Sequence, residues 1–159
     1  MINEKSKEVV KLLIDRNLKI TSAESCTGGL FATNITSVSG SSKCFEGSFI
    51  TYSNDVKYKL INVKMSTLEK YGAVSEECVL EMAENSRKIM NSDISISISG
   101  IAGPNGGSFE KPVGLVWICI SSQNYIASYK NIFSGNRDEI RYKSVDFALD
   151  LVLNFIKKC

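Results

Sequence analysis

The sequence predicts a layered α/β domain with a mixed sheet. Three observations carry this. Helix-like and strand-like periodicities interleave along the chain in the order α, β, α, β, α, α, β, β, β, α. The last two strand-like runs are joined by only Ser122-Gln123-Asn124, so at least one strand pair is antiparallel. The 159 residues contain no repeat, linker or low-complexity stretch, which predicts one domain over 1–159 with a core of its own.

Each element has its own signal. Val9, Val10, Leu12, Leu13 and Ile14 give residues 3–16 an apolar helix face, with Asn3 as its cap. Residues 18–23 form a short strand. In 27–37, Leu30, Phe31, Asn34 and Ile35 recur at helical spacing. A loop at 39–42 leads to a β-branched and aromatic run, 44–52, read as a strand. Ser53 or Asn54 caps the next helix. Ser75, followed by Glu76 and Glu77, starts a helix running to Met90, its acids at the positive end of the dipole. Ile-Ser-Ile-Ser-Ile-Ser at 94–99 has the period of a strand. A Gly/Pro loop, 101–112, precedes strands 113–121 and 125–133. Asn136 and Glu139 form a capping box for a final helix with Ile140, Phe147, Ala148, Leu151, Val152 and Phe155 on one face.

Composition excludes several classes of function. The net charge of +2 leaves no basic tract for nucleic acid. No apolar run is long enough to span a membrane, and the polar N-terminus through Lys7 has no signal-peptide core, so a cytoplasmic location is expected. Five widely spaced cysteines with no C-x-x-C argue against a disulfide framework or a zinc site. There is no histidine at all, which excludes Ser-His-Asp and Cys-His catalysis and any His-ligated metal. A hydrolase built on this chain must take its base from Lys, Tyr, Asp or Glu.

Three segments can carry chemistry. Ala23-Glu24-Ser25-Cys26-Thr27-Gly28-Gly29 lies where a strand hands over to a helix, so a nucleophile there sits beside outward-facing backbone N–H groups. Ser25 or Thr27 can equally serve as a helix cap. Cys26 is a rival nucleophile that lacks a histidine to activate it. Thr51-Tyr52-Ser53-Asn54-Asp55-Val56-Lys57 places a phenol and an amine near one cleft, where they can replace histidine, or leaves them as ordinary surface side chains. The loop from Ser99 to Ser108, with glycines at 100, 103, 106 and 107, can wrap an anion with backbone donors or act as a mobile connection. It matches neither a Walker A loop nor a dinucleotide fingerprint. Ser95 and Ser97 are read as small residues that let a helix pack closely on the sheet. Arg137 and Arg141, four apart, can pair with a phosphate or simply face solvent.

Taken together, the segments at 23–29 and 51–57, Gly-Ala-Val-Ser at 72–75, Ser-Gly-Ile-Ala-Gly-Pro-x-Gly-Gly at 99–107 and Lys-Pro-Val-Gly at 111–114 resemble the CinA C-terminal domain, or PncC, family. The likeness spans nearly the whole chain. It implies a three-layer α/β/α fold and an amidase that converts nicotinamide mononucleotide to nicotinate mononucleotide and ammonia. The catalytic residues it implies are Ser25 as the nucleophile with Tyr52 and Lys57 together as its base, and neither a cofactor nor a metal is called for. With this resemblance, the amides around Cys26, Thr27 and Gly28 are assigned to the substrate's oxyanion, and Gly29 is counted with them as substrate-binding. Ser99, Gly100, Ala102, Gly103, Gly106, Gly107 and Arg137 are assigned to its phosphate end. A homodimer is the family-level expectation for partners. Many relatives carry a larger N-terminal pyrophosphatase domain, an activity not expected here. The other reading is a catalytically silent oligomeric or regulatory module of the competence/damage-inducible type, against whose direct binding to DNA the near-neutral charge argues.

Overall fold

The structure, a computed structural model, describes residues 4–159; the expected Asn3 cap lies outside them. The first helix, α1 (Glu4–Asp15), buries Val9, Val10 and Leu13. It leads into β1 (Ile20–Glu24), which is buried throughout. Helix α2 (Leu30–Thr36) starts later than the periodicity of 27–37 predicts. Gly28 and Gly29 hold φ of +57° and +98°, outside the helical region, so the chain makes a separate turn first.

The strand expected over 44–52 shrinks to β2 (Phe49–Ile50). Phe45 makes only an isolated bridge to Ile20, and the Gly47 carbonyl is taken by the Thr21 hydroxyl. The ladder resumes only at Ala23 and Glu24, the last two residues of β1. Helix α3 (Asn54–Ile61) is capped by Ser53, whose hydroxyl accepts the Val56 N–H. Asn62, at φ 55°, stops it, so the stretch before Ser75 holds a second helix, α4 (Met65–Tyr71), that periodicity did not separate. Helix α5 (Glu76–Met90) has the expected Ser75 cap. Strands β3 (Ile94–Gly100), β4 (Leu115–Ser122) and β5 (Tyr125–Ile132) follow, and α6 (Arg137–Lys158) opens on the Asn136–Glu139 capping box.

The five strands form one sheet in the order β2-β1-β3-β4-β5. β1 is parallel to β2 and β3, whereas β4 runs antiparallel to both β3 and β5. Helices α1, α2 and α6 cover one face and α3, α4 and α5 the other, giving α/β/α layers. The Ile-Ser alternation of β3 divides these faces. Ile94, Ile96 and Ile98 join the core under α1 and α6. The serines meet the opposite layer: Ser95 donates to the Ala83 carbonyl, Ser97 to that of Val79 at 2.6 Å and Ser99 to that of Ala73 at 2.8 Å. Small side chains thus bring α5 close, as expected, and the Ser95 and Ser97 hydroxyls bond to its main chain as well. Among the described residues no helix is long and apolar enough to cross a membrane.

Ser97 offers a direct test of that interface. Replacing it with Ala removes one buried hydrogen bond and is expected to cost about 1 kcal/mol. Ser97→Val adds bulk against α5 and is expected to cost about 1–3 kcal/mol through overpacking and the lost bond. Urea unfolding measures both; equal stability of all three proteins would show that the hydroxyl does not hold α5 to the sheet.

Candidate active site

The parallel strands β1, β2 and β3 point their C-terminal ends the same way, and the chemistry-bearing segments follow these ends. Ser25 is the first residue beyond β1. Its N–H donates to the Ile98 carbonyl of β3, while the Thr51 N–H donates to the Glu24 carbonyl. The serine is therefore wedged between its two neighbouring strands.

Lys57, in the first turns of α3, reaches under β2 to the same point. It is 0% exposed. Its Nζ donates to the carbonyls of Thr51 at 2.7 Å and Tyr52 at 3.2 Å and stands 3.0 Å from Ser25 Oγ. Ser25 Oγ lies 3.4 Å from the Tyr52 carbonyl. Among the described residues no carboxylate is paired with Lys57. Burial lowers its pKa from the ordinary lysine value, with weak opposition from the Cys78 and Cys26 thiols. With two N–H groups spent on carbonyls, a neutral amine can turn its lone pair toward Ser25. The pair is thus arranged as a nucleophile and a base.

Cys26 is next in the chain but is poorly placed to react. Burial pushes its thiol up to about 11, so the thiolate is scarce at neutral pH. Tyr52 splits its contributions. Its carbonyl holds Lys57, whereas its side chain is 61% exposed and its phenol oxygen accepts from Arg137 Nη2 at 3.2 Å. Arg137 Nη1 also donates to the Gly103 carbonyl at 2.8 Å. The start of α6 thereby joins the glycine loop to the Tyr52 side of the mouth.

Ser25, Cys26, Tyr52 and Lys57 share a cavity of about 250 Å³ with Ser99, Gly100, Ala102, Gly103, Gly106 and Arg137. Ala73, Val74, Ile101 and Asn105 also line it. The sequence reading gave these four no role; the Gly-Ala-Val-Ser segment was visible as a motif but bears no reactive side chain at 73 or 74. Thr27, Gly28, Gly29 and Gly107 lie outside the lining. A Cβ on Gly107 would come within 2.8 Å of Val113, and one on Gly103 within 2.4 Å. These glycines let the loop fold against the turn at Val113 that leads into β4, a packing demand independent of any anion. A larger groove, of about 340 Å³, runs along Tyr125, Tyr129 and Phe155, but it has no such nucleophile–base pair.

Two supports of the nucleophile turn escaped the sequence reading. Glu24 is buried; its Oε1 accepts the Phe31 N–H at 2.6 Å and the Thr27 hydroxyl at 3.1 Å, while Oε2 has no partner. It acts as an internal cap for α2 from the preceding strand, a role local capping rules do not reveal. Arg141 donates to the Cys26 and Thr27 carbonyls at 3.1 and 3.0 Å, so it braces the turn and does not line the cavity. Among the described residues no group of three His, Cys, Asp or Glu is placed to hold a metal ion.

Comparison with known proteins gives a consistent picture. A family model described as the CinA C-terminal domain matches residues 2–156. A CinA-like protein of Fervidobacterium nodosum is 46% identical over 151 residues, covering 95% of this chain and 37% of that protein. A putative competence-damage inducible protein of Caldanaerobacter subterraneus is 49% identical over 149 residues, 94% of this chain and 36% of that one. The chain thus spans little more than a third of the length of these curated relatives. Among solved structures, a competence-damaged protein (CinA) superfamily protein from Klebsiella pneumoniae superposes with a TM-score of 0.94 at 31% identity, covering 98% of both chains. Another from Escherichia coli gives 0.93 at 32%, covering 98% of this chain and 90% of that one.

Glu24 makes stability depend on pH. Burial raises its pKa above the ordinary 4.5, outweighing the hydrogen bonds and the Arg141 charge. The native state therefore keeps the proton to higher pH than the unfolded chain, and stability is lost as pH rises through the folded value. Glu24→Gln keeps an acceptor for Phe31 and carries no charge. Its Tm relative to wild type is expected to climb between pH 4 and pH 8. A difference that stays constant over that range would mean that the Glu24 carboxyl is not raised.

Proposed function

The chain belongs to the CinA C-terminal domain family, and on that footing we propose that it is an amidase that deamidates nicotinamide mononucleotide. The observation that carries this reading is the 3.0 Å contact between Ser25 Oγ and the buried, counterion-free Lys57. A silent interaction module has no need to bury a lysine against a serine, which costs free energy unless the amine becomes neutral.

The chemistry follows from the geometry. Neutral Lys57 takes the Ser25 proton as Oγ bonds to the carboxamide carbon, made electrophilic by the substrate's pyridinium. The Gly28 N–H already donates to the Ser25 carbonyl at 3.1 Å, which leaves the amide of the cavity-lining Cys26 to meet the oxyanion. The carbon–nitrogen bond breaks, and nitrogen leaves as ammonia with the proton that Lys57 received. Water then adds to the ester while Lys57 accepts its proton, the bond from carbon to Oγ breaks, and Lys57 returns that proton to Ser25 as nicotinate mononucleotide leaves. Tyr52 holds Lys57 through its carbonyl, and its phenol, tied to Arg137, stands at the mouth. The loop at 99–106 and Arg137 receive the phosphate end.

Purified protein is expected to release ammonia from nicotinamide mononucleotide. Ser25→Ala should lower kcat by about 10³-fold or more, while Cys26→Ala stays within about tenfold of wild type. Wild-type protein that releases no ammonia would favour the regulatory reading. Loss of activity in Cys26→Ala equal to that in Ser25→Ala, with both folded, would move the nucleophile to the cysteine.

Lys57 sets the pH profile. Burial lowers its pKa from the ordinary 10.5, so the base form gains population as pH rises, with its midpoint below that value. kcat/KM should rise with pH with a midpoint below 10.5, and Lys57→Arg should not restore the rate, because guanidinium keeps its proton. A midpoint at or above 10.5, or an active Lys57→Arg enzyme, would place the base elsewhere.

A further inference from the structure

Arg141 lies one helical turn beyond Arg137 on α6 but faces a different target. Its Nε donates to the Cys26 carbonyl at 3.1 Å and its Nη2 to the Thr27 carbonyl at 3.0 Å. Asp138 is 3.8 Å away with a largely exposed side chain, a contact of little weight, and the buried Glu24 carboxyl also feels the Arg141 charge. The guanidinium is thus spent on two successive main-chain carbonyls immediately after the nucleophile. It does not line the cavity, whereas Cys26 does.

In a trans peptide the carbonyl of one residue and the N–H of the next point in opposite directions. Gripping the Cys26 carbonyl therefore turns the Thr27 N–H away from Arg141. Gripping the Thr27 carbonyl turns the Gly28 N–H the other way, and that N–H donates to the Ser25 carbonyl at 3.1 Å. The second peptide plane is pinned at both ends and the first at its carbonyl. Two glycines with positive φ, Gly28 and Gly29, follow directly, so the backbone has no stiffness of its own there.

We propose that Arg141 is a positioning residue that fixes the turn after Ser25, and with it the cavity-lining Cys26, in the geometry the reaction needs. This rests on the amidase reading and deepens it. Arg141 touches no substrate; it acts through the two peptide planes. A planar fork can hold both carbonyls at once, which an ammonium cannot do in the same geometry.

The test uses Arg141→Met, which keeps the apolar stem, and Arg141→Lys, which keeps the charge. Three readouts are taken: steady-state kinetics on nicotinamide mononucleotide, the rate at which a fluorophosphonate labels Ser25 by mass spectrometry, and thermal melting. The expected result for Arg141→Met is a fall in kcat of about 10²-fold, comparable to the loss of one oxyanion donor. KM should stay within threefold and labelling should slow in parallel, while the pH midpoint set by Lys57 is unmoved. Arg141→Lys should recover less than a tenth of the lost rate. If KM rises with kcat intact, Arg141 is a ligand contact and the proposal falls. A lower Tm with unchanged kcat and labelling makes it a structural brace and also overturns it. If Arg141→Met does not fold, Arg141→Lys decides by the same criteria. Should the wild type release no ammonia yet label at Ser25, the amidase reading fails separately, and labelling rates alone judge Arg141.

Discussion

A lysine amine buried with no counterion is the constraint on which the rest of the structure depends. Its ammonium form is expensive away from water, so its surroundings must supply hydrogen-bond acceptors without supplying negative charge. Main-chain carbonyls do this. Those of Thr51 and Tyr52 turn inward onto Lys57 directly after β2, which accounts for a strand that ends at Ile50. Lys57 also sits near the positive end of α3, just after the Ser53 cap, where the helix dipole further disfavours a cation. The environment thus favours a neutral amine, and Ser25 is the hydroxyl within its reach.

The sheet supplies the geometry. Three parallel strands deliver Ser25, Tyr52 and the loop beginning at Gly100 to one edge, where the ends of strands in an open α/β sheet leave a crevice. Helix α6 then ties the parts together from the far end of the chain. Arg137 bridges Tyr52 and Gly103 across the mouth, and Arg141 grips the turn behind the nucleophile. Their placement is rigid because the same helix buries Ile140, Val145, Ala148 and Val152 in the core under β3 and β4. Core packing and site geometry are therefore coupled through one element.

What could be read in the sequence was what local physics determines. The Ile-Ser alternation of β3, the Ser75 cap and the Asn136–Glu139 box depend on neighbours a few residues away, and all appear as expected. The segments around Ser25, Tyr52 and Lys57 were legible as motifs, and the fold gathers them into one cavity. Elements governed by distant partners were misjudged. Residues 44–52 have strand composition, but β1 has only two residues left to pair with them. The start of α2 depends on glycine dihedrals and on a carboxylate from the preceding strand. Arg141 looked like a phosphate ligand or a solvent-facing charge because its targets are backbone carbonyls, which leave no signature in the side-chain sequence.

The grip of Arg141 on Cys26 joins residues 115 positions apart. β1 likewise needs its partner β3, with Lys19 and Asp93 bonded across 74 positions. Such contacts pay loop-closure entropy before they return any stabilisation, so they form late in folding. During synthesis the Ser25 turn emerges well before α6, the helix whose arginine steadies it. Until α6 docks, that turn lacks its grip. On the amidase reading, reactivity at Ser25 is then a reporter of the docking of a helix more than a hundred residues further along the chain.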